Sequence, residues 1–143
     1  MGGFQVIKIS DGQATAPEAS RRLLEEQLRS INSPALVYFE AGWCEDCKGN
    51  AGALEEFIRS ATGLEPDVTL LRVVASVSRD DWKSDAGPNW QNPFRIAPWR
   101  VESLPHAAVV RYSDGSPQFL ERIMIPDSLG LGYLYKRARL LQR

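Results

Sequence analysis

Apolar residues recur along this chain with two spacings, and the alternation between them predicts the order of elements. Gln5 to Ile9 is a short β-like run that Asp11-Gly12 breaks. Thr15-Ala16-Pro17-Glu18 then carries a helix start, with Thr15 able to cap, Glu18 able to complete a capping box and Pro17 suited to the first turn. Leu23, Leu24, Leu28 and Ile31 follow at helical spacing until Asn32-Ser33-Pro34. Ala35 to Glu40 is almost continuously apolar and of strand length, which predicts a central strand covered on both faces. A second helix is expected from Asp46 to about Thr62-Gly63, with Ala51, Leu54, Phe57 and Ile58 on its apolar side, and a strand within Val68 to Val77. Ser78 to Arg100 shows no period, although Asn92-Pro93-Phe94-Arg95 could open a short helix; segments this long are often functional. Ala107 to Tyr112 and Gln118 to Ile123 predict a hairpin turning at Ser113-Asp114-Gly115-Ser116. The last helix starts near Asp127-Ser128 and buries Leu131, Leu134, Tyr135 and Ala138. Strand, helix, strand, helix, strand, long loop, hairpin, helix implies an α/β fold: a mixed sheet between helices.

With 143 residues, 43% of them hydrophobic, residues 1–143 are expected to form one domain able to bury a core without disulfides or metals. The net charge of −1 and the absence of a basic stripe argue against nucleic acid as a partner. No run reaches eighteen apolar residues, and Met1 to Val6 lacks the basic start and apolar core of a signal peptide, so no membrane partner and a cytosolic location are expected. Lys136, Arg137, Arg139 and Arg143 cluster late in the last helix, where cations suit the carboxyl end and a solvated face. Gly130-Leu131-Gly132 lacks the third glycine and preceding strand of a phosphate loop.

The chemistry concentrates in Trp43-Cys44-Glu45-Asp46-Cys47, which holds both cysteines between the apolar strand and the second helix. As a staple, a Cys44–Cys47 bridge would close about four residues for roughly 2 kcal/mol, against about 3 for a fifteen-residue loop. A closed zinc site needs four Cys or His ligands, and the chain has two Cys and one His, His106, so no metal is expected without a carboxylate, a water or a second subunit. Two inert buried thiols remain a possible bland state. Inert thiols do not explain the strand, Trp-Cys-x-x-Cys, helix context that redox sites use.

With Leu104-Pro105 at the head of the predicted hairpin, the chain resembles the thioredoxin fold over nearly its whole length. More narrowly it is similar to the cytosolic thioredoxin-related family with a Trp-Cys-Pro-Asp-Cys site, the thioredoxin domain-containing protein 17 family. That likeness rests on Asp46, Trp82-Lys83 with Asp85, Phe94-Arg95, and Leu104-Pro105 after Val101. It implies a central mixed sheet flanked by helices on both faces. It also implies a reductase of protein or small-molecule disulfides that carries no bound cofactor and receives electrons from NADPH through thioredoxin reductase as a partner. The chain departs from the family at Glu45, which replaces the proline between the cysteines, and lacks the insertion ahead of the first. Tyr38 stands where thioredoxins bury an aspartate, Gly52 where they have a helix-kinking proline, and His106 follows Pro105 where a threonine is usual.

A dithiol in this setting assigns Cys44, at the exposed helix mouth, as the nucleophile and Cys47, one turn inside, as the resolving thiol. The helix end favours negative charge at Cys44 by about 0.3 to 1 kcal/mol, while a carboxylate such as Glu45 or Asp46 at about 4 Å opposes it by roughly 1 kcal/mol in water. These terms nearly cancel, which predicts a reductant near the thioredoxin potential of about −270 mV. Asp46 is open to two roles, stabilising the first helical turn or moving a proton at Cys47. Trp43 is expected to flank the dithiol and offer a substrate apolar area. The resemblance implies a cis bond before Pro105 and a Leu104 backbone that pairs with substrate. Trp82, Trp90 and Trp99 are expected to pack, and His106 to be a packed or hydrogen-bonded residue. Alternatives to the reductase are a non-catalytic binding module of the same fold, a disulfide isomerase and a glutathione-dependent oxidoreductase.

Overall fold

A computed structural model describes residues 5–9, 17–61, 68–76, 78–79, 82 and 92–142. Its elements are β1 (Gln5–Ile9), α1 (Pro17–Ile31), β2 (Ala35–Glu40), α2 (Glu45–Ala61), β3 (Thr69–Val74), β4 (His106–Ser113), β5 (Ser116–Met124) and α3 (Ser128–Leu140). The sheet runs β1-β3-β2-β4-β5, with β2 parallel to β3 and antiparallel to β4. β2 therefore lies in the middle, and its first five residues are buried, as a strand covered on both faces demands. The architecture is the α/β fold expected, a mixed sheet between helices.

Two apolar layers hold the sheet. On one face Leu24 and Leu28 of α1 meet Val37 and Phe39 of β2 and Ala108 and Val110 of β4, together with Phe94, Trp99 and Val101. On the other, Leu54, Phe57 and Ala61 of α2 meet Leu131, Leu134 and Tyr135 of α3 over Leu36, Leu70 and Val109. The α3 face is the predicted one, with Leu131, Leu134, Tyr135 and Ala138 all buried. Asp127 caps α3 by accepting the Gly130 N–H at 2.7 Å.

Several local expectations are corrected. Leu23 is exposed, and α1 turns Ser20, Leu24 and Leu28 inward, because a stripe of three positions four apart covers the sheet without it. Ala51 is likewise exposed; its neighbour Asn50 is buried, since its amide finds the Tyr38 hydroxyl at 2.9 Å and the Pro126 carbonyl at 2.7 Å. Residues 92–95 form a turn rather than a helix: the Asn92 side chain accepts from Phe94 N–H at 2.8 Å and competes with a helical continuation. Pro17 does open α1, whereas Thr15 of the capping box, Trp90 and Arg143 lie outside the described residues. Glu18 pairs with Arg21, which also meets Glu25 at 2.8 Å.

The β4–β5 hairpin turns through Asp114 (φ 56°) and Gly115 (φ 78°), the doubly left-handed backbone that a two-residue turn needs and glycine supplies without strain. A bulge opposite Val109 and Val110 shifts the register, so Val109 faces Glu121 and Val110 faces Phe119. The Leu104–Pro105 bond preceding β4 is cis, as is Ala97–Pro98.

Candidate functional site

β2 delivers the chain to the site. It ends at Glu40, and Ala41 to Trp43 form a tight turn in which Cys44 N–H reaches the Ala41 carbonyl at 3.3 Å. Cys44 is the cap of α2: its carbonyl accepts the first helical bond, from Lys48 N–H at 3.1 Å, and its sulfur accepts from Cys47 N–H, also at 3.1 Å. A backbone donor and the amino end of the helix thus point at Sγ of Cys44. From the opposite side the thiol donates to the Leu104 carbonyl at 3.5 Å. Both cysteines are free thiols.

The two sulfurs are electrostatically unequal. Burial, followed by the hydrogen bond with Cys44, pushes the Cys47 thiol up to about 12, with the negative charge of Glu40 adding to the effect. Cys47 therefore keeps its proton near neutrality. The expected contrast in exposure is not found: Cys44 is 5% exposed and Cys47 8%, because Leu104 and the turn before α2 close over the first sulfur as tightly as the helix covers the second.

Trp43 is half-buried beside the pair, its indole N–H held by Ser76 Oγ at 3.3 Å and its ring 5.8 Å from the Arg79 guanidinium carbon. Glu45 is exposed and salt-bridged to Lys48 at 3.0 Å, which sets a positive charge beside it. Asp46 is also exposed. Asp46 sits in the first turn of α2, and the negative charge of Glu40 adds slightly to the raising of the Cys47 thiol. Leu104 and Pro105 are buried with their cis bond against Cys44, and the Pro105 carbonyl accepts from Ile125 N–H at 2.8 Å. Trp82 and Trp99 are buried and pack, as expected.

Beneath the dithiol lies a polar layer that sequence reasoning missed. Glu40 binds Arg72 through both oxygens, at 2.9 and 3.0 Å. Burial raises the Tyr38 phenol to about 12, its hydroxyl accepting from Asn50. The signals were present: a carboxylate ending an apolar strand, a lone cation inside Thr69–Val74, and an amide three residues after Cys47 on the same helix face.

His106, at the start of β4, packs edge-on against Phe39 with ring centroids 5.9 Å apart. Burial, and secondarily the Arg122 guanidinium, push its imidazole down to about 4 from the ordinary 6.5. Since the unfolded chain takes up this proton more readily, stability contributed by the neutral ring is complete above pH 6.5 and is lost as pH falls toward 4. The loss is expected to be on the order of 3 kcal/mol. Urea unfolding at about pH 7 and about pH 4.5 checks it against His106→Leu, which removes this titration and leaves the carboxylates' in place. Parent and variant losing equal stability would refute it.

Among the described residues no group of three or more His, Cys, Asp and Glu side chains is placed to hold a metal ion, and no helix is long and apolar enough to cross a membrane.

No family model matches the chain, and no curated protein sequence does. Solved structures do. The chain is similar to the reduced thioredoxin pre-protein of Schistosoma mansoni, at 14% identity and a TM-score of 0.49 over 96% of this chain and 98% of that one. It is also similar to chloroplastic thioredoxin z, at 20% identity and 0.48 over 95% and 96%. Thioredoxin O2 of Arabidopsis thaliana in its oxidised state matches at 20% and 0.48, over 99% and 96%.

Proposed function

We propose that this chain is a thiol-disulfide oxidoreductase that reduces protein or small-molecule disulfides through Cys44 and Cys47, and that it works as a single domain in the cytosol. The observation that carries this reading is the pairing of Cys47 N–H with Cys44 Sγ at 3.1 Å on the first turn of α2, with the protonated Cys47 thiol behind it. Cys44 as thiolate attacks one sulfur of a substrate disulfide; a Cys44–substrate S–S bond forms, the substrate S–S bond breaks and one thiolate leaves. Cys47 then gives up its proton and attacks Cys44, forming the Cys44–Cys47 disulfide and releasing the second thiol. The protein loses two electrons and the substrate gains them. Trp43, Leu104 and Pro105 border the sulfur that reacts and are its substrate-facing residues. Recharging needs two electrons, for which the Trp-Cys-x-Asp-Cys likeness supports NADPH acting through thioredoxin reductase.

The low exposure of both cysteines favours a second reading, a binding module that keeps this fold without turnover. Reduction of insulin or cystine by the chain, driven by NADPH and thioredoxin reductase, separates the two. Catalytic turnover supports the reductase. A chain that neither turns over with the reductase nor reduces disulfides after chemical pre-reduction is the module.

A further inference from the structure

The His106 ring is 3% exposed, and neither of its nitrogens has a hydrogen-bond partner among the described residues. Buried polar atoms are nearly always paired, so two unpaired nitrogens on one ring call for a ligand or a reason. His106 lines an open pocket of about 390 Å³ together with Arg100, Glu102, Arg122 and Met124. That is the size of a site for a small molecule or for one end of a larger one.

The walls are built and not incidental. Arg122 donates to the Trp99 carbonyl at 2.8 Å and the Arg100 carbonyl at 3.0 Å, and its guanidinium lies 3.7 Å above the centroid of the Phe119 ring. These contacts fix the plane of the cation. Arg100 is displayed from a left-handed backbone (φ 51°), a conformation that residues other than glycine adopt at a cost and that recurs at functional sites. Two guanidinium groups and one carboxylate leave a single net positive charge around a neutral imidazole. A planar monoanion fits this set better than a dianion, which Glu102 repels; a carboxylate meets the fork of arginine in two parallel bonds.

The pocket also shares a turn with the dithiol. His106 is two residues from Leu104, whose carbonyl touches Cys44 Sγ. Two residues of chain separate their Cα atoms by at most about 7 Å. We propose that this pocket is an anion subsite that seats the carboxylate of a small disulfide substrate while one of its sulfurs lies against Cys44. The substrate class is a disulfide with a carboxylate several bonds from the sulfur. The proposal rests on the oxidoreductase reading for its chemistry and on the pocket alone for its charge preference.

Two measurements keep those apart. In the first, pre-reduced protein is oxidised by dithiodibutyrate and by its uncharged diamide. The dicarboxylate is expected to react about tenfold faster at equal low concentration, the worth of one charge-assisted pair. Arg100→Gln should bring the ratio near unity, while Arg100→Lys should keep part of it. The second uses the Cys44→Ser, Cys47→Ser double variant, in which no exchange can occur. His106 is the chain's single histidine, so its imidazole proton signals report the pocket directly. Dithiodibutyrate should shift them saturably, with affinity weakened by Arg100→Gln, and the diamide should not. Equal rates for the two disulfides, or signals that ignore the dicarboxylate or follow the diamide as well, overturn the subsite. If neither disulfide is reduced, the reductase reading falls, and the imidazole titration alone decides the anion site.

Discussion

Replacing Cys44 with serine is expected to end disulfide turnover, with a loss on the order of a thousandfold or more, because no other sulfur is placed to attack first. Cys47 cannot stand in for it. Its thiol is raised to about 12 by burial and by its hydrogen bond with Cys44, so almost none of it is thiolate near neutrality. Cys47→Ser should behave differently: the first exchange proceeds and then stops, leaving a mixed disulfide on Cys44 that mass spectrometry detects as one substrate half per chain. Turnover surviving in Cys44→Ser, together with no adduct in Cys47→Ser, would reverse the assigned roles. The same pair of variants separates a dithiol mechanism from one in which a single cysteine exchanges with an external thiol, since the latter would tolerate the loss of Cys47.

Trp99→Ala should cost about 3 to 5 kcal/mol, a large share of the roughly 5 to 15 kcal/mol by which a domain is stable. The indole is fully buried and meets three rings edge-on: Phe39 at 6.0 Å, Phe94 at 5.9 Å and Phe119 at 5.6 Å. Alanine would leave a cavity that these rings, fixed on β2, the 92–101 segment and β5, can fill only in part. The segment they pack leads to Leu104, so the cis turn against Cys44 should lose definition together with global stability. Urea unfolding measures the first effect, and the rate of Cys44 alkylation in native buffer the second. A loss below about 1 kcal/mol would refute the ring cluster as a major source of stability. Trp99→Phe, which keeps an aromatic partner for Phe39, should recover part of the difference.

Elements with one dominant driving force could be read from the chain. β2 announced itself because five consecutive apolar positions needed burial on two faces, and α3 because Leu131, Leu134, Tyr135 and Ala138 share one stripe. The hairpin followed from Asp114-Gly115, whose positive φ angles only a few residue types accept readily. The dithiol was legible for a similar reason: two cysteines three apart at a strand-to-helix boundary have few other uses. What escaped depended on pairing across the fold. Asn50 is polar and was passed over for Ala51, yet it is the buried one, since Tyr38 and Pro126 supply its partners from 12 and 76 residues away. Glu40 gave no sign of pairing with Arg72 until β2 lay beside β3. The tight cover over Cys44 was hidden too, because Leu104 lies 60 residues along the chain and reaches the sulfur through its carbonyl oxygen, which every residue type possesses. Arg100, Glu102 and Arg122 looked like scattered surface charge; the hairpin and the 92–101 segment gather them around one imidazole.

The irregular pairing between β4 and β5 has a consequence for the behaviour of many copies together. β5 closes one side of the sheet, and a straight outer strand offers its free amides and carbonyls as a template for a neighbouring chain. Here Pro117 removes one donor near the start of that row, and the extra residue opposite Val109 and Val110 bends the remainder out of line. Concentrated solutions are thereby protected from side-by-side sheet extension along this border, the first step toward fibrous aggregation.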